Sequence, residues 1–107
     1  VLKKYKIELS AFAAADLSDI FEYISNDSVK NAAEFIYQIE RHILSLEIYP
    51  AKYPLIQENL LLGTNFRHFV FKKYRIIFRI ADETVYVLRV MHGARLLTKE
   101  SVINDAQ

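Results

Sequence analysis

Apolar and polar residues alternate along Tyr5-Lys6-Ile7-Glu8-Leu9, the period of a short, half-buried strand. Helical spacing takes over at once. Ser10 offers an N-cap hydroxyl, and Ala13, Leu17, Ile20, Phe21 and Ile24 form the apolar stripe of a helix over Ala11–Ile24, with Asp16, Asp19 and Glu22 off it. Ser25-Asn26-Asp27 breaks the pattern and Ser28 can cap a second helix. Its stripe of Ala32, Phe35, Ile36, Ile39, Ile43 and Leu46 continues to Tyr49, where Pro50 stops it. A connection of about four residues between two amphipathic helices predicts an antiparallel hairpin.

Ala51–Gly63 has little periodicity, and with Pro54, Gly63 and the cluster Leu60-Leu61-Leu62 it reads as an irregular loop lying partly against the core. Three strands then follow, Asn65–Phe71, Tyr74–Ile80 and Val85–His92, joined by the hairpin-length connections Lys72-Lys73 and Ala81–Thr84. The expected fold is α+β, in the order β-α-α-β-β-β. A helical hairpin covers one face of a four-stranded, mostly antiparallel sheet and leaves the other exposed. Residues 1–107 make one domain.

Strict alternation assigns the faces. Tyr74, Ile76, Phe78 and Ile80 point to the helices, together with Tyr86, Leu88 and Val90. Arg75, Ile77 and Arg79 point the other way, with Val85, Val87, Arg89 and Met91. Asn65, Arg67, Phe69 and Phe71 share one face of the preceding strand, in a register that a bulge at the turn would alter. Such a sheet presents a basic surface interleaved with apolar groups.

Composition adds exclusions more than assignments. An apolar fraction of 52% and a charged fraction of 25% are ordinary for a globular protein. With no cysteine there are no disulfides or thiolate metal sites. No apolar run approaches the roughly 18 residues of a membrane span. The start, Val1-Leu2-Lys3-Lys4-Tyr5, is too short and polar for a signal peptide, so a cytoplasmic protein is expected.

Charge is more telling in its distribution than in its total of +1. Between Thr64 and Lys99 the basic residues are Arg67, Lys72, Lys73, Arg75, Arg79, Arg89, Arg95 and Lys99, against only Asp82 and Glu83. Arginine on a strand needs water, a partner or a phosphate. The cluster is therefore a solvated face, a site for an acidic protein segment, or a site for nucleic acid. His92 is the best acid–base candidate, equally readable as a structural histidine. Glu58 is either a solvated loop residue or a general base reaching over the sheet. His42, His68 and His92 lack metal-ligand spacing, so neither metal nor cofactor is assigned. Any catalysis from Arg, Lys, His and Glu would suit phosphodiester cleavage by 2′-hydroxyl attack.

The run Tyr74-Arg75-Ile76-Ile77-Phe78-Arg79-Ile80, a short turn, then Val85–Val90 and Met91-His92-Gly93-Ala94-Arg95 resembles the C-terminal half of the RelE/ParE superfamily of toxins from bacterial type II toxin–antitoxin systems. The Leu9-Ser10 strand end, the Ala-rich start of the first helix, Tyr49-Pro50…Tyr53-Pro54, and Gly63 four residues before Arg67 fit as well. In that superfamily RelE-like and YoeB-like members cut mRNA on the ribosome without a metal, whereas ParE-like members inhibit DNA gyrase.

The resemblance implies roles residue by residue. Arg75 matches the nucleases' phosphate-contacting arginine, His92 falls where the YoeB-like branch has its histidine, and Arg95 lies near a basic position after the last strand. These three are the catalytic candidates if the chain is a nuclease. Arg67, Lys72, Lys73, Arg79 and Arg89 are the candidate partner- or nucleic-acid-binding residues. The nuclease tyrosines have no counterpart: Gly93 follows His92, and Leu96–Gln107 contains no tyrosine. The expected function is thus a toxin acting by ParE-like gyrase inhibition. The alternatives are ribosome-dependent mRNA cleavage and a degenerate toxin that only binds its antitoxin. The expected partner is a cognate antitoxin, acidic or amphipathic, in a toxin–antitoxin hetero-oligomer.

Overall fold

The computed structural model describes residues 3–102. Strand β1 (Lys6–Leu9) leads into helices α1 (Ala11–Ser25) and α2 (Val29–Leu44), which form the expected hairpin. Both N-caps act as the sequence suggests. The Ser10 hydroxyl accepts the Ala13 N–H at 2.9 Å and that of Ser28 accepts the Asn31 N–H at 3.1 Å. The second helix is shorter than its stripe. It ends at Leu44 in a 3₁₀ turn, Ser45–Glu47, and Tyr49 adopts φ 53° before Pro50. The residue preceding a proline is disfavoured in the right-handed helical region, and Tyr49 lies outside it.

The segment expected to be an irregular loop contains a 3₁₀ turn, Pro50–Lys52, and a one-turn helix α3 (Asn59–Leu62) closed by Gly63 at φ 68°. The Asn59 side chain staples this turn, accepting the Phe66 N–H and donating to the Phe66 carbonyl. Strands β2 (Arg67–Phe71), β3 (Tyr74–Ala81) and β4 (Thr84–His92) form the antiparallel meander. β1 adds in parallel to β4, giving the sheet order β1-β4-β3-β2.

One irregularity rearranges the faces. Ile77 lies opposite Arg89 and Phe78 opposite Val87, so Leu88 is an extra residue in β4. A bulge of this kind reverses side-chain parity on one half of its strand. Val85 and Val87, expected on the open face, instead pack under the helices with Ile76, Phe78 and Val90. Tyr86 and Leu88, expected in the helix-facing core, lie on the opposite side with Ile77 and Met91. Val90 and Met91, beyond the bulge, keep the expected orientation.

The second face is covered as well, which overturns the expectation of an open basic sheet. Ile56, Phe66, Leu97 and Val102 pack over Ile77, Leu88 and Met91 as a second apolar cluster. Ile77 presents an apolar side chain on that face, and burying it contributes about 1.5–3 kcal/mol. The chain meets that demand with its own loop and C-terminal segment.

Candidate functional site

Under this cover lies the residue the nuclease reading singles out. Arg75 points away from the helices, and only 6% of its surface is exposed. Its guanidinium grips Glu58 through both terminal nitrogens, Nη1 reaching Oε1 at 3.3 Å and Nη2 pairing with Oε2. Glu58, also 6% exposed, is therefore not the solvated loop residue considered above. Nη2 also donates to the Arg95 carbonyl at 2.9 Å, and Nη1 lies 3.3 Å from His68 Nδ1. The Leu97 N–H donates to Glu58 Oε2 at 3.0 Å. One ion pair thus joins β3, the start of α3 and the segment after β4.

Electrostatics follow from this packing. Hydrogen bonding from Arg75, against the opposing effect of burial, lowers the Glu58 carboxyl to about 2. His68 is lowered too, first by burial and then by the Arg75 charge, with Glu58 opposing. A neutral His68 with Nδ1 as acceptor suits the guanidinium beside it. A cleft of about 410 Å³ opens here, with Gln57, His68, Arg75 and Arg95 among its lining residues.

The other candidates do not converge on Arg75. His92 is exposed at the end of β4, and its Nδ1 accepts the Ala94 N–H at 3.2 Å. Arg95 contributes its carbonyl to the cluster and is itself exposed. Lys72 and Lys73 are exposed in the β2–β3 turn. Arg67 lies on the helix side of the sheet and donates to the Tyr53 carbonyl at 2.6 Å. The Arg79 guanidinium sits 4.3 Å from the centre of the Tyr86 ring. Arg89 is bonded to Asp16 of α1. The arginines are thus distributed among separate structural partners instead of forming one basic surface.

Sequence reasoning missed the roles of Glu58 and Asp16. The available signal for Glu58 was a carboxylate flanked by Ile56 and the cluster Leu60-Leu61-Leu62 in a segment expected to lie partly against the core. Among the described residues no group of His, Asp or Glu is placed to hold a metal, and no helix is long and apolar enough to cross a membrane.

Comparison with known proteins gives the family. The model for the ParE toxin of the type II toxin–antitoxin system parDE matches residues 7–97. No curated protein matches the chain significantly. Among solved structures, a chain of the chromosomal ParDE toxin–antitoxin system from P. aeruginosa is similar, with a TM-score of 0.69 and 17% identity over 84% of this chain and 97% of that one. At that identity the likeness is one of fold, but the family match spans most of the sequence and includes both the Arg75 strand and the Glu58 turn. The chain belongs to the ParE toxin family of type II toxin–antitoxin systems.

Proposed function

We propose that this toxin arrests growth by binding DNA gyrase stoichiometrically, and not by cutting RNA. One observation carries the reading: the guanidinium that would have to meet a scissile phosphate is buried and neutralised by Glu58. A nuclease of this type stabilises rising negative charge on phosphate oxygens with preorganised, available donors. Bringing a phosphate to Arg75 would displace a carboxylate held at about 2, leaving that carboxylate buried without its counter-ion. The missing tyrosines after His92 agree with this, because a catalytic centre relying on His92 would have no aromatic partner beyond it.

The test is to add purified toxin to a gyrase supercoiling reaction and, separately, to a translating ribosome system. Inhibition of supercoiling that saturates near equimolar toxin, with mRNA left intact, is the expected result. Codon-phased mRNA ends with unimpaired supercoiling would overturn it in favour of the nuclease. No effect in either system would leave a chain that only binds its antitoxin.

A further inference from the structure

Arg67, Arg75 and Arg89 each end on an oxygen of this chain: the Tyr53 carbonyl, the Glu58 carboxylate and the Asp16 carboxylate. Arg79 does not. Its guanidinium lies over the Tyr86 ring, and among the described residues no carboxylate pairs with it. Nε is enclosed without a hydrogen-bond partner, yet the residue as a whole is only half-buried. The guanidinium therefore presents its Nη1–Nη2 end.

The bulge at Leu88 creates this arrangement. It turns Tyr86 out of the helix-side core onto the face of Arg79, and the two residues are direct cross-strand partners. On its other side Tyr86 is the partner of Glu8 in β1, so Glu8, Tyr86 and Arg79 form one row across three strands. Glu8 is exposed and lies 4.0 Å from Lys6. Asp82 and Glu83 are exposed in the turn that follows β3. The sheet thus offers three carboxylates at this end, and none of them pairs with the guanidinium stacked on Tyr86.

A guanidinium held flat on an aromatic ring loses little side-chain freedom when it binds, and its planar fork matches a carboxylate. Arginine and tyrosine side by side are also the residue types that carry most binding energy at protein interfaces. We infer that Arg79, held by Tyr86, is a binding residue for a carboxylate of the toxin's protein target. On the gyrase reading, on which this inference rests, that protein is gyrase. The local charge selects a carboxylate over nucleic acid. Lys6 and Arg79 stand against Glu8, Asp82 and Glu83, an excess of negative charge that a run of phosphates would meet along its length. A single carboxylate needs only the one fork without an acid partner.

The test is the affinity of purified toxin for gyrase in the absence of DNA, measured by isothermal titration calorimetry for wild type, Arg79→Ala and Arg79→Lys. Urea midpoints are checked first, and Arg79→Lys, which keeps the stem and the charge, remains informative if Arg79→Ala does not fold. Arg79→Ala should weaken binding by about thirty-fold or more, as for one partner of a hydrogen-bonded charge pair across an interface. Its binding should also depend less on salt, a change that a merely structural arginine would not produce. Arg79→Lys should recover only part of the loss, since lysine keeps the charge without the fork. Wild-type affinity in either folded variant would overturn the inference. A loss seen only when DNA is present would assign Arg79 to a phosphate and overturn it as well. Wild-type toxin that does not bind gyrase would refute the gyrase reading and this inference with it, whereas wild type that binds no better than Arg79→Ala would refute this inference alone.

Discussion

Asp16 on α1 holds Arg89 on β4 in a two-pronged ion pair, Oδ2 to Nε and Oδ1 to Nη2, both at 2.8 Å. The same carboxylate accepts the Val90 N–H at 2.8 Å. Pairing of β1 with β4 ends at Leu9 and Val87, so Val90 lies on an edge that β1 no longer covers. Asp16 therefore closes the open ladder and fastens the first helix to the sheet just past the bulge. The Arg89 guanidinium also lies 5.2 Å from the centre of the Phe12 ring, and Nη1 donates to the Ser101 carbonyl.

Removing one partner of such a pair leaves the other poorly solvated. Asp16→Ala should lower stability by about 3–5 kcal/mol, and Arg89→Lys by less, since lysine keeps the charge but not the fork. Urea denaturation followed by circular dichroism measures both. A loss below about 1 kcal/mol for Asp16→Ala would mean that water replaces these bonds cheaply.

The Arg75–Glu58 pair predicts non-additivity. Arg75→Met and Glu58→Met should each destabilise by about 3–5 kcal/mol, because each strands a buried charge. The double variant should lose less than the sum of the two, by a coupling energy on the order of 1–3 kcal/mol in a double-mutant cycle. Simple addition of the two losses would show that the charges are independently solvated.

Acid should lower the protein's stability in two steps. His68 is held below its ordinary 6.5, so the folded state favours the neutral ring and resists protonation. Its contribution is present above 6.5 and is lost as pH falls below that value. Glu58 is held at about 2 against an ordinary 4.5, so its contribution is present above 4.5 and is lost between 4.5 and 2. Stability measured against pH should decline gently below about 6.5 and more steeply below about 4.5. His68→Gln should remove the first decline and leave the second.

The two hairpin turns carry a further cost. Lys72 and Asp82 have φ of 54° and 56°, a left-handed conformation that strains a side chain with Cβ. Lys72→Gly and Asp82→Gly should therefore be neutral or stabilising by up to about 1 kcal/mol, the reverse of glycine's usual effect in a strand or helix. Raised urea midpoints at constant m-value would confirm it. A clear loss at Asp82 would show that its carboxylate supports the turn in other ways.

Local chemistry determined much of this protein. Serine caps, helical stripes, alternating strands and hairpin-length connections each depend on neighbours a few residues apart, so Ser10, Ser28, the helical hairpin and the β2–β3–β4 meander were legible in sequence. The superfamily, too, could be read from the Tyr74–Arg95 region. What the tertiary structure decided are relations among residues far apart in the chain. Leu88 carries no mark of a bulge, because parity follows from strand register, which is set by packing on both sides of the sheet. The fate of the arginines turned on partners 73 and 17 residues away, Asp16 for Arg89 and Glu58 for Arg75. A sequence counts their charges but cannot say which are already neutralised. Burial makes that decision: a guanidinium removed from water must find a carboxylate, and folding brought these carboxylates to the arginines.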